Sequence, residues 1–200
     1  MSGAPGDLLQ LRVGELLDSV AARTPAPGGG AVAAVVTALA AGLIAMAGRF
    51  ADPSKIPPGL VDRAEALRAH AGPLADADAA TYGRYLEATR RRDESDPASR
   101  AEAVSRALSE ATDVPLSILQ TAAEVADLGR QLLLDGNPRL HGDAAAGVLL
   151  AAAAAEAAAL LVAENLADSP ADPRARRAAV LAAGTRALAV AVHPGTGPRA

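Results

Sequence analysis

The sequence has no cysteine and no tryptophan, and it holds a single phenylalanine and two tyrosines. Without cysteine there is no disulfide framework, no thiolate nucleophile and no cysteine-ligated zinc or iron–sulfur cluster. Aromatic residues are 2% of the chain, and β-branched residues are also sparse, so the residue types that strands favour are missing. Histidine occurs at His70, His141 and His193 only. No two of these stand four apart, as a helical metal pair would, so no metal site is expected. The serines show no nucleophile-elbow sequence. The formal charge is −4, and the basic run Arg90-Arg91-Arg92 is followed at once by Asp93 and Glu94. We read that run as a solvated helix end, and no nucleic-acid partner is expected. Residues 1–6 carry neither the basic nor the apolar region of a signal peptide, and a cytoplasmic location is expected.

What is abundant is alanine. Half of the 200 residues are apolar, alanine dominates that half, and alanine loses no side-chain entropy in a helix. The expectation is an all-α protein of one domain, residues 1–200, with a loose tail at 193–200. Two stretches, 31–47 and 144–163, are apolar enough to suggest membrane spans. The first is short for a span of about 20 residues. The second holds Glu156 in its middle, a costly placement in lipid. Both are expected to be core helices instead, with no membrane partner.

Punctuation by proline and glycine divides the chain into helices. Residues 6–22 predict a first amphipathic helix with Leu8, Leu9, Leu11, Leu16, Leu17 and Val20 on its apolar face. A second helix runs from the Pro-Gly loop to about Phe50. A third covers about 59–70, and after a break or kink at Gly72-Pro73 helix resumes over 74–92. Ser95-Asp96-Pro97 reads as a helix start. The helix that follows runs to about Leu134, and Pro115 should kink it. Asp135-Gly136-Asn137-Pro138 is a stop, with Gly or Asn expected in the left-handed position. A long alanine helix spans about 141–167, and a last helix spans 174–192. Short connections favour antiparallel neighbours in one bundle.

Four segments could carry chemistry. Thr24-Pro25-Ala26-Pro27-Gly28-Gly29-Gly30 opens a helix, where free backbone N–H groups and the helix dipole suit a carboxylate, a phosphate or a carbonyl oxygen. The same glycines would equally serve a tight corner between helices. Asp78 and Tyr82 share a helix face, whereas Asp76 lies about 200° round from Asp78. If buried, Asp78 would titrate high and could act as acid or base. Asn137 with Asp143, and Glu164 with Asn165, are polar groups beside apolar helices. Such groups serve either as hydrogen bonds within the bundle or as ligand contacts.

Taken in order, Thr24-Pro25-Ala26-Pro27-Gly28-Gly29-Gly30 through Ala34, Asp76 to Tyr82, Ala111 to Leu116, Gly136 to Asp143 and Asn165-Leu166 resemble the formimidoyltetrahydrofolate cyclodeaminase / methenyltetrahydrofolate cyclohydrolase family. The likeness spans about residues 8–190. It implies a dimeric helical bundle acting on a one-carbon derivative of tetrahydrofolate, with no metal and no other cofactor. It implies Asp78 as the group that handles a proton and steadies a cationic carbon. It implies a folate site formed by Pro27, Gly28, Gly29, Gly30 and Tyr82, with Asn137, Asp143 and Asn165 as further contacts or braces. The sequence departs from the family pattern at Ala31, where Ser is common, at Thr37, where Gly is common, and at Leu161, where Asn is common. These departures leave an alternative: a helical binding or assembly protein of the same fold without catalysis.

Overall fold

The computed structural model describes residues 7–90 and 96–192. Among these residues there are seven α-helices and no strand: α1 (Val13–Ala21), α2 (Gly29–Arg49), α3 (Leu60–Ala71), α4 (Leu74–Arg90), α5 (Pro97–Asp135), α6 (His141–Asn165) and α7 (Pro173–Val192). The all-α expectation holds. Arg91 to Ser95, within the basic run and its acidic neighbours, and the tail 193–200 lie outside the described residues.

The centre of the bundle is α2, α5 and α6, with α3 and α4 against α2 and α5, and α7 across α5 and α6. Alanine dominates this centre: Ala34, Ala40, Ala41, Ala122, Ala126, Ala151, Ala155 and Ala158 are fully or almost fully buried. Small side chains let helix axes approach closely, and the residual gaps are filled by a few larger groups. Ile44 of α2 is one of these. It is seated against Gly129 of α5 and Gly147 of α6, where an added Cβ would press into the Ile44 side chain. The same contacts set directions. Gly29 faces Leu161 while Ile44 faces Gly147, so α2 and α6 are antiparallel. Helices α2 and α5 run the same way, since Ile44 meets Gly129 at one end while Gly29 and Gly30 share a cleft with the earlier α5 residues Ala111 and Pro115 at the other.

Both α2 and the segment reaching through α6 are long and apolar enough to span a membrane, yet 56% and 44% of their apolar windows are buried inside the bundle. Each also keeps an uncovered face. Along α2 and its C-cap, Val32, Leu39 and Phe50 are exposed, and Val36, Leu43 and Met46 are partly so.

Two local expectations need correction. The segment 6–22 is not one helix. It forms a 3₁₀ turn (Leu8–Gln10) and then α1, separated at Leu11-Arg12. The Asp76 carboxylate of α4 accepts from the N–H groups of Asp7 and Leu8 at 3.1 and 3.0 Å, which moors the turn. Glu15 accepts from the Arg12 N–H at 2.9 Å, which restarts the helix. Helix α1 buries none of its residues, so its apolar face is not a core face. At the end of α5, neither Gly136 (φ −79°) nor Asn137 (φ −76°) is left-handed. Gly136 is required for another reason: an added Cβ would run into the Leu132 carbonyl. Asn137 instead caps the next 3₁₀ turn by accepting from Arg139 N at 3.0 Å. Helix α5 continues through Pro115, as the reading of one helix to about Leu134 expects. Its start is as expected, with Asp96 accepting from Ala98 N at 3.0 Å and Ser99 N at 3.3 Å.

Candidate active site

A cleft of about 280 Å³ opens where α2 begins, α6 ends, and α4 and α5 pass between. The chain reaches it through Thr24, whose hydroxyl donates to the Ala26 carbonyl at 3.0 Å, and through a cis bond between Ala26 and Pro27. Gly28 then caps α2 in an extended conformation without a side chain. The first intrahelical bond is Val32 N to Gly28 O at 3.1 Å, so the N–H groups of Gly29, Gly30 and Ala31 have no partner within the helix. None of the three glycines has a positive φ. Backbone freedom is therefore not what they supply, and only at Gly30 would a Cβ meet an occupied position.

A Cβ placed at Gly30 would overlap the carboxyl group of Asp78, which lies against the bare Cα. The Asp78 carboxylate accepts from the backbone N–H of Ala31. Two opposed effects act on it. Burial pushes the carboxyl above its ordinary value and is the larger; the Ala31 hydrogen bond pulls it down. The net direction is upward, which favours a carboxyl that can hold a proton closer to neutrality than a surface aspartate does.

Asp76, two residues earlier, lies on another face of α4 and holds the N-terminal turn, as its angular offset predicts. Tyr82 is on the Asp78 face at the rim of the cleft, 42% exposed. Its ring stands 6.3 Å from Tyr85, tilted by 37°. Thr81 also lines the cleft; its hydroxyl bonds back to the carbonyls of Ala77 and Asp78 at 2.9 and 3.1 Å. Asn165 and Glu164 enter from the end of α6, and Ala111 and Pro115 from α5. Asn165 Nδ2 donates to the Ala111 carbonyl at 3.0 Å.

Not every sequence candidate comes to this place. Gly28, Gly29, Gly30, Asp78, Tyr82 and Asn165 converge in the cleft. Pro27 faces a neighbouring apolar groove between α2 and α6 instead, with Val20, Val32, Val36, Ala153 and Ala157. Asn137 lies at the far end of α2, donating to the Phe50 carbonyl at 3.0 Å. Asp143 begins α6, about 33 Å of helix from Asn165. Within one protomer these two are therefore remote from the cleft. Thr81, Ala111 and Pro115 were not expected there. The sequence marks Pro115 as a kink and as part of the block Ala111 to Leu116, and its missing N–H is the signal that a neighbouring carbonyl needs another donor.

The three departures from the family pattern also gain a physical meaning. Ala31 needs no hydroxyl to hold Asp78, because its backbone N–H does so. Thr37 is fully buried in the core and satisfies itself on the Ala33 carbonyl at 2.8 Å. Leu161 alone changes the cleft, giving it an apolar wall.

Among the described residues no cluster of three acidic or histidine side chains could hold a metal ion. The cleft offers a half-buried carboxyl, two open backbone donors at a helix start, an amide and a tyrosine ring.

Comparison with known proteins supplies the family. The chain is 32% identical over 160 residues to a methenyltetrahydrofolate cyclohydrolase from Methylorubrum extorquens, covering 74% of this chain and 76% of that protein. It is 30% identical over 151 residues to the formimidoyltransferase-cyclodeaminase of Sus scrofa and 32% identical over 145 residues to that of Mus musculus. It spans only 28% and 27% of those longer chains. The crystal structure of formiminotetrahydrofolate cyclodeaminase from Thermotoga maritima shares the fold, with a TM-score of 0.74 over 92% of this chain and 93% of that one at 24% identity. The family model described as formiminotransferase-cyclodeaminase matches residues 12–183, and the chain belongs to that family.

Proposed function

We propose that the chain acts on tetrahydrofolate carrying a one-carbon unit, as a formimidoyltetrahydrofolate cyclodeaminase or a methenyltetrahydrofolate cyclohydrolase, with Asp78 as the catalytic carboxyl. In the first reaction N10 attacks the formimino carbon on N5, the carbon–nitrogen bond to the terminal amine breaks, and ammonia leaves with the proton it needs. In the second, water adds to the methenyl carbon and releases one proton; its other proton passes to N5 as the bond to N5 opens, which leaves the formyl group on N10. Both need one group that carries a proton and tolerates a cationic carbon beside it. The observation that supports the assignment is Asp78 seated on the bare Cα of Gly30, with its pKa raised by burial and its anion held by Ala31. The free N–H groups of Gly29 and Gly30 would take an oxygen of the ligand, and Tyr82 would lie along its ring.

The test is the absorbance of methenyltetrahydrofolate. Its formation from the formimino compound marks the deaminase; its accelerated loss in water marks the hydrolase. The variant Asp78→Asn should fold and lose turnover. Activity in both assays at the level of the unaltered chain would refute the assignment.

A homodimer is part of the same proposal. The uncovered apolar stripe of α2 (Val32, Leu39, Phe50) continues into the groove that holds Pro27. A second copy of this chain would cover both. The proposal places the protein in the cytoplasm, where its substrate is dissolved.

A further inference from the structure

Pro115 stands inside α5 and has no backbone N–H. In a continuous helix the carbonyl of Ala111 would accept from residue 115, so here that carbonyl has lost its regular donor. Asn165, from the last turn of α6, supplies one: its Nδ2 lies 3.0 Å from the Ala111 oxygen. A carbonyl oxygen can only accept, so the NH₂ end of the amide must face α5 and the oxygen end must face away. Among the described residues no hydrogen bond reaches Asn165 Oδ1. Ala111, Pro115 and Asn165 all line the cleft that holds Asp78 and Gly30.

We propose that Pro115 is a positioning residue. It opens the Ala111 carbonyl, the open carbonyl orients the Asn165 amide, and the amide oxygen then selects an N–H donor on the bound ligand. The proposal rests on the folate reading above and sharpens it: the reduced pterin carries N–H and amino donors of the required kind, and Asn165 Oδ1 would take one of them. A helical asparagine free to turn its amide would present donor or acceptor alike and select neither.

The test separates the device from the ligand. The variant Pro115→Ala returns an N–H to position 115 and gives the Ala111 carbonyl its helical donor. The side-chain amide of Asn165, followed by NMR in the ligand-free protein, should then exchange faster with water, and the melting temperature should not fall. Tetrahydrofolate binding, measured by calorimetry without turnover, should weaken about five- to tenfold, the worth of one neutral hydrogen bond. That weakening should vanish when Pro115→Ala is made in an Asn165→Ala background, whereas kcat on a reactive derivative should move little. Unchanged amide exchange in Pro115→Ala would overturn the link between the two residues. Altered exchange with unchanged tetrahydrofolate affinity would overturn the role in ligand selection. If the unaltered chain does not bind tetrahydrofolate, the folate reading fails, and the amide exchange still decides the link.

Discussion

Replacing Gly30 with alanine asks whether the contact between Gly30 and Asp78 is the centre of the site. The new methyl would overlap the Asp78 carboxyl group. Residue 30 is helical, so alanine brings up to about 1 kcal/mol of helix propensity. Against this, the carboxylate must leave its seat and give up the Ala31 hydrogen bond, about 1.5–3 kcal/mol for a charged acceptor. It recovers some hydration in the cleft, which trims that loss. The expected outcome is a folded protein destabilised by about 1–2 kcal/mol, or about 2–8 °C in melting temperature for a chain of this size. Activity should suffer far more. A carboxylate moved by an ångström or more from its working position costs on the order of 100-fold in turnover. Two controls sharpen the measurement. Gly184→Ala on α7 meets nothing within 4 Å, so it should raise the melting temperature slightly and leave activity alone. Asp78→Ala combined with Gly30→Ala removes the overlapped group, so the alanine at position 30 should no longer destabilise. The reasoning fails if Gly30→Ala keeps full turnover, or if it destabilises equally with and without the Asp78 carboxyl.

Other perturbations follow from neighbouring parts of the fold. Because burial raises the Asp78 pKa above its ordinary 3.8, the neutral carboxyl is the form the fold favours; stability tied to it is present below pH 3.8 and lost as pH rises through the raised value. Asp78→Asn should therefore gain in melting temperature over the unaltered chain on going from about pH 4 to pH 8, and a constant difference across that range would contradict the burial argument. Arg174 donates to Ser109 O, Ser109 Oγ and Asp113 from α5, at 3.2, 3.1 and 2.7 Å, and also pairs with Asp172. Arg174→Ala should cost about 1.5–3 kcal/mol in chemical denaturation, and an unchanged midpoint would show that α7 is held by apolar contact alone. Asn137→Ala should lower stability by about 1 kcal/mol through the lost cap, with KM unchanged; a raised KM would instead place Asn137 in the site of a second protomer. Leu39→Asp changes a side chain that is 61% exposed in the single chain; if the proposed homodimer forms through the α2 stripe, the variant should sediment as a monomer with its helix content kept, and an intact dimer would exclude that stripe as the interface.

The sequence displayed the helices well because alanine and the proline–glycine breaks act locally. Asp96-Pro97 starts α5 and Gly136 ends it, each within a residue of expectation. What it displayed poorly were features made by distant partners. The break at Leu11-Arg12 depends on Asp76, 68 residues along the chain from Leu8. The geometry at Gly136 depends on a close carbonyl, which a preference for left-handed glycine does not encode. Within the site, Asp78, Tyr82 and the glycines were legible because they sit in short motifs with a shared face. Asn137 and Asp143 look equally polar and equally placed beside apolar helices, yet helix length carries them to the other end of the bundle. Pro115 is visible in the sequence, but the carbonyl it leaves without a helical donor lies four residues away and is met by the amide of another helix.

The two aspartates of α4 moor the chain at two points, Asp76 at residues 7–8 and Asp78 at residue 31. Everything between them, including α1 and the Pro-Gly loop, is an excursion that leaves one helix and returns to it. Helix α1 contributes no buried residue to the core. The excursion is thus a cassette whose outer part can be rewritten or lengthened without repacking the bundle, provided the two moorings stay.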